Sequence, residues 1–126
     1  MADVEISKYG QLDLNAKLDD TFEGQQFQFE NADGGYTSLV GASIRCQFRY
    51  LNKTGDLQKT ITDGAGITIT DAVNATIVID PFDVLEDPDG WKAQNYWYDI
   101  EITYVDGTIT TWIEGLFQVS QDVTKP

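Results

Sequence analysis

The sequence predicts an all-β domain folded as an antiparallel β-sandwich, and three observations carry that prediction. Tyr96, Tyr98, Ile100, Ile102 and Tyr104 recur at every second position, as do Ile109, Thr111, Ile113, Gly115, Phe117 and Val119. Such alternation marks strands with one buried face. Between the two runs stands Asp106-Gly107, a dipeptide suited to the left-handed dihedrals of a two-residue type I′ hairpin turn. Turn signals then recur at short intervals along the rest of the chain, the rhythm of many short strands.

Counting outward from a two-residue turn sets the register. The inner face pairs Tyr104 with Ile109, Ile102 with Thr111, Ile100 with Ile113, Tyr98 with Gly115 and Tyr96 with Phe117. The outer face pairs Thr103 with Thr110, Glu101 with Trp112, Asp99 with Glu114 and Trp97 with Leu116. Like charges opposite each other, as at Asp99 and Glu114, disfavour pairing unless a cation or a basic side chain intervenes. Trp97, Trp112 and Leu116 on one outer face form an apolar patch that another layer or another protein would cover.

Upstream elements follow from the same pattern. In residues 1–19, Val4 and Ile6 alternate, as do Leu12 and Leu14 around a break at Tyr9-Gly10, so this stretch is either an edge strand or an extended arm that pairs with a neighbouring subunit. From Asp20 to Glu30, Phe27 and Phe29 face inward, and Asn31 to Gly35 turns the chain. Ala42 to Leu51 is a central strand with Ala42, Ile44, Cys46, Phe48 and Tyr50 inward and Ser43, Arg45, Gln47 and Arg49 outward. Arg45 and Arg49 are placed to neutralise Asp99 and Glu114 if the strands are neighbours, an ordinary cross-strand charge cluster. A turn at Asn52 to Gly55 precedes short strands at Leu57 to Thr62, Ile67 to Thr70 and Thr76 to Asp80. Pro81 to Leu85 reads as a single helical turn capped by Asp80, because proline suits a first helical position. Glu86 to Gly90 is an acidic loop, and the polar tail from Gln121 frays or continues into an assembly contact.

Composition bounds the function. The chain has 126 residues, 41% apolar and 12% aromatic, enough for one core and one domain, with the sandwich over 20–124. A net charge of −13 and eight scattered basic residues argue against nucleic acid, whose phosphates require clustered Lys and Arg. Membrane insertion is not expected, since no apolar run approaches a spanning length. No basic-then-apolar leader opens the chain, so synthesis in a cytoplasm is expected. The lone Cys46 forms no internal disulfide and reads as a small core residue.

Candidate chemistry is sparse. The chain has no histidine, the commonest general base, and no Gly-x-Ser-x-Gly elbow or phosphate-cradling loop. Asp99, Glu101 and Glu114 lie near one another in the expected register, as a glycosidase pair would, yet surface carboxylates are common in a chain with 21 acidic residues. A non-enzymatic protein is expected. Glu86, Asp87 and Asp89 offer hard oxygen ligands without the EF-hand spacing, and turn chemistry accounts for Asp89-Gly90. No cofactor or metal is expected. Trp91, Trp97 and Trp112 are candidate stacking platforms for a glycan, although aromatics on a sandwich more often serve core or interface. Asn52-Lys53-Thr54 and Asn74-Ala75-Thr76 match the glycosylation acceptor pattern by chance in a chain without a leader.

From Asp20 onward the order of motifs resembles the immunoglobulin-like domains of bacteriophage tail, fibre and baseplate proteins, and is similar to the amino-terminal domain of baseplate upper proteins. The resemblance is carried by Asp20-Thr21-Phe22, by Leu39-Val40-Gly41 leading into Ala42 to Arg49, and by Ile67-Thr68-Ile69. It continues in Tyr98 to Ile102 with Asp106-Gly107, and in Gly115 to Val119 followed by Asp122-Val123-Thr124. Glu86 to Asn95 is longer than the family's connection, and residues 1–19 have no counterpart. The resemblance implies an immunoglobulin-like β-sandwich and a structural or adaptor component of a virion, assembled as a homo-oligomer or docked on other virion proteins. Trp97, Trp112 and Leu116 are then the expected interface, with Arg45, Arg49, Asp99 and Glu114 as a structural charge cluster beside it. The alternative is a carbohydrate-binding or host-adhesion module.

Overall fold

A computed structural model describes residues 3–7 (backbone only), 10–50 and 55–121. Tyr9, Leu51, the Asn52-Lys53-Thr54 pattern with its turn, and the tail after Gln121 lie outside the described residues. The strands are β1 (Asp3–Ser7), β2 (Gly10–Gln11), β3 (Leu14–Lys17), β4 (Thr21–Phe22), β5 (Gln25–Glu30), β6 (Ser43–Tyr50), β7 (Leu57–Asp63), β8 (Gly66–Asp71), β9 (Thr76–Ile79), β10 (Phe82–Asp83), β11 (Asn95–Thr103) and β12 (Ile109–Ser120). The all-β sandwich expected from the sequence is what the chain forms.

One long sheet runs β1-β5-β9-β8-β7-β6-β11-β12-β2, with β3 also on β12. It curls at β7 and β8, which share only the parallel pairs Thr62–Gly66 and Asp63–Ile67, and its two halves meet face to face. Phe29 on β5 packs against Trp112 on β12 with ring centroids 5.3 Å apart, although five strands separate β5 from β12 along the sheet order just given. Most pairings are antiparallel; β1 on β5, and β2 and β3 on β12, are parallel. β1 thus lies at one end of the sheet and β2 and β3 at the other, and the Tyr98 hydroxyl ties down the segment between β2 and β3 by donating to the Leu12 carbonyl at 2.6 Å.

The core is aromatic. Phe48 and Phe117 lie edge to face at 5.0 Å, and Trp91 meets Tyr96 at 4.8 Å and Phe117 at 5.5 Å. Edge-on and tilted ring pairs of this kind add roughly 0.5–1.5 kcal/mol each beyond the area they bury. Phe27, Phe29, Cys46, Phe48 and Ile100 have no exposed surface and Ile44 is 1% exposed, as their alternation requires.

Two local expectations are corrected. Pro81 to Leu85 is not a helical turn: β10 pairs with β4 through Phe82–Phe22 and Asp83–Thr21. An extended backbone lets Phe82 reach Phe22 at 5.3 Å and Phe117 at 5.9 Å, and the Asp80 carboxylate accepts from the Thr68 hydroxyl at 2.8 Å instead of capping a helix. Burial of a ring outweighs a single turn of helix, whose nucleation is unfavourable.

The β11–β12 turn is the second correction. Tyr104 N–H donates to Thr108 O and Gly107 N–H to Tyr104 O, each at 2.8 Å, closing a three-residue loop with Gly107 at φ +90°. This is the three-residue hairpin that places a glycine in the left-handed position. The extra loop residue shifts the register by one, so Thr103 pairs with Ile109, Ile102 with Thr110 and Glu101 with Thr111. A β-bulge between Ile100 and Glu101 restores it, and Ile100–Ile113, Asp99–Glu114, Tyr98–Gly115, Trp97–Leu116 and Tyr96–Phe117 pair as expected. The residue absorbed by the bulge is Trp112, and with it Thr110 turns inward while Ile109 and Thr111 turn outward.

Candidate interaction face

The pairing of β6 with β11 and of β11 with β12 lays the outward side chains in rows across the sheet. One row runs Gln47, Asp99, Glu114; the next runs Arg49, Trp97, Leu116; a third runs Arg45, Glu101, Thr111. The rows arise because each strand alternates, so every second residue must face away from the core. Trp97 and Leu116 are partly exposed neighbours on this face. Trp112, expected beside them, is instead 2% exposed: the bulge swings it into the core, where its indole N–H donates to the Tyr104 hydroxyl at 2.7 Å. Period-two counting missed this because a bulge leaves no mark in the spacing of one strand.

The charge cluster is rearranged in the same way. Arg45 pairs with Glu101, Nη2 to Oε1 at 3.0 Å, rather than with Asp99 or Glu114. Arg49 donates to the Gly55 carbonyl at 3.0 Å and to Gln47 Oε1 at 3.2 Å. Gln47, Arg49, Trp97, Tyr98, Asp99 and Glu114 enclose a pocket of about 70 Å³. That is well under the roughly 300–1,000 Å³ of small-molecule sites, and suits the tip of a side chain. Burial pushes the Asp99 carboxyl above its ordinary range, helped by Glu101 and Glu114 and opposed by the Gln47 backbone hydrogen bond and Arg45. A carboxylate in that setting gains from any cation that approaches it.

The other candidates lie elsewhere. Trp91 is 2% exposed and packs in the aromatic core, so of the three tryptophans only Trp97 presents a ring surface to a ligand. Cys46 is fully buried, and burial first, then the nearby Asp99, pushes its thiol up. Glu86, Asp87 and Asp89 are exposed on a loop closed by Gly90 N–H to Glu86 O at 2.8 Å. Among the described residues no group of three or more His, Cys, Asp or Glu side chains is placed to hold a metal ion. Asn74 sits in a turn with its amide on the Asp71 carboxylate at 2.9 Å.

No family profile matches the chain, and no curated relative does. Among solved structures, CopC from Methylosinus trichosporium OB3b is similar at 14% identity and a TM-score of 0.47, with 94% of this chain and 90% of that one covered. A family 123 glycoside hydrolase from Clostridium perfringens is similar at 14% identity and a TM-score of 0.39, with 92% of this chain set against 24% of the larger protein.

Proposed function

We propose that this chain is a non-enzymatic structural or adaptor component of a bacteriophage particle, docking on other virion proteins or on copies of itself in a tail, fibre or baseplate or in association with the capsid. The observation that carries the protein-contact part is the outer face of β6, β11 and β12. There Trp97 and Leu116 form a partly exposed apolar pair directly beside the acidic pair Asp99 and Glu114. Aromatic anchors bordered by charged groups are the composition of protein interfaces, and the small adjoining pocket takes a side chain more readily than a whole small molecule. The particle assignment comes from the motif order that resembles phage immunoglobulin-like domains, an argument by analogy of fold.

Native mass spectrometry of the purified chain, alone and with extracts of disassembled virions, tests the reading. A homo-oligomer or a stoichiometric virion complex that Trp97→Ala with Leu116→Ser disrupts is the expected result. A strict monomer that binds no virion protein overturns it. So does turnover on a glycoside or ester panel, or glycan-array binding that Trp97→Ala abolishes while folding is retained, the last pointing to an adhesion module instead.

A further inference from the structure

The described residues include five large apolar side chains that stand well exposed, and four of them crowd adjoining loops. Val40 is 62% exposed, Val73 66%, Val105 79% and Ile109 63%. The loops touch: Leu39 N–H donates to Ala72 O at 2.8 Å, tying the Val40 turn to the Val73 turn. Gly41, at φ +77°, passes so close to Val105 that a Cβ there would meet its Cγ2 at 3.0 Å. Val105 lies in the three-residue loop of the β11–β12 hairpin and Ile109 begins β12. Local folding does not require these valines, since a turn is better served by polar residues, and grouped exposed aliphatics mark contact sites.

A cleft of about 330 Å³ opens between the Val40 loop and the hairpin tip, with Ser38, Val105 and Asp106 at its sides and Tyr104 and Trp112 among its walls. It is large enough to seat an aliphatic or aromatic side chain against the edge of the core. Charge at this end has one sign. Residues 31–43, 71–76 and 103–110 hold Asp33, Asp71 and Asp106 and neither Lys nor Arg. Thr108 N–H donates to Asp106 Oδ1 at 2.9 Å, and the Asn74 and Gly35 N–H groups donate to Asp71 and Asp33, so the partners of these carboxylates are neutral donors that bring no positive charge to this end.

We infer that this loop end is a second docking surface, distinct from the outer sheet face, for a different protein chain that presents an apolar centre ringed by Lys and Arg. Charge complementarity selects the occupant. A second copy would set Asp33, Asp71 and Asp106 against their own like charges, and an anionic lipid surface would meet the same repulsion. The inference goes beyond the proposed function and uses none of Trp97, Leu116, Asp99 or Glu114.

A surface-displayed library of short random peptides, selected on the immobilised full chain, provides the probe. Enriched peptides should combine aromatic or aliphatic residues with Lys or Arg. Their affinity should fall at least about tenfold on Val40→Ser with Val105→Ser, should weaken in raised salt, and should be unchanged on Trp97→Ala. Thermal melts check that the exposed substitutions leave the fold intact, and Val105→Ser alone should give a smaller loss. Absence of enrichment, enrichment of acidic peptides, or equal binding to the double variant overturns the inference. Dimerisation in sedimentation that the double variant abolishes would assign the surface to a second copy, and binding to phosphatidylcholine vesicles that it abolishes would assign it to a membrane; either overturns it as well. Peptides lost only on Trp97→Ala would uphold the outer-face reading while sinking this one.

Discussion

At the scale of single residues, the three tryptophans have separate duties that their shared chemistry conceals. Trp112 fills the space between β12 and β5 and satisfies its N–H on Tyr104, so truncation leaves a large cavity and an unpaired hydroxyl. Trp112→Ala should cost about 3–5 kcal/mol in a urea melt, whereas Trp97→Ala should cost about 1 kcal/mol or less and act on binding. Equal costs would return Trp112 to the surface. Asp99 gives a pH test. Its folded carboxyl titrates above the ordinary range, so between the ordinary and the raised value the folded chain holds a proton that the unfolded chain releases. The contribution is therefore fully present below the unfolded pKa and is lost as pH rises through the folded one. Asp99→Asn, which mimics the protonated form, should flatten that slope and raise stability at neutral pH; a slope unchanged in the variant would show that Asp99 is not its source. The Arg45–Glu101 pair, with side chains 50% and 26% exposed, adds little beside these effects.

The β11–β12 hairpin shows how an element settles conflicts between its parts. Its three-residue loop and its bulge are each a departure from ideal pairing, and each displaces the register by one residue in compensating directions. Beyond the bulge, Tyr98 lies across from Gly115, and its hydroxyl reaches over to the Leu12 carbonyl. A Cβ on Gly115 would fall on that carbonyl oxygen and crowd the Tyr98 ring. Glycine is thus required here by close approach rather than by a left-handed dihedral. Gly115→Ala should destabilise by about 2–3 kcal/mol through overpacking, and amide exchange should speed up first in β2 and β3, the strands that the Leu12 contact holds against β12. Exchange that quickened uniformly would show that Gly115 does not act through that edge.

For the whole molecule, the governing quantity is charge. With a formal −13 spread over 126 residues, folding compresses like charges, and self-repulsion opposes the compact state. Raising ionic strength should therefore raise the melting temperature by a few degrees as the Debye length shrinks from roughly 10 Å at 0.1 M to 3 Å at 1 M. A fall in melting temperature would mean that attractive pairs outweigh the repulsion. The same excess makes basic partners favourable at both candidate surfaces.

The period-two runs by themselves determined the strand-rich class and the inward set Phe27, Phe29, Ile44, Cys46 and Phe48, because side-chain alternation is a property of each strand and needs no partner to be read; the five hairpin pairs beyond the bulge match the count from a two-residue turn only because the three-residue loop and the bulge offset each other. Arg45, Arg49, Asp99 and Glu114 could be placed on one outer face for the same reason. Only the tertiary structure decided that Trp112 turns inward, that Arg45 takes Glu101, that Phe82 draws its segment into a strand, and that the Val40 loop lies against both the Val73 turn and Val105. Each of those depends on which distant elements come together, on a bulge, a ring cluster or a loop contact, and contacts between distant segments leave no periodic trace in the chain that makes them.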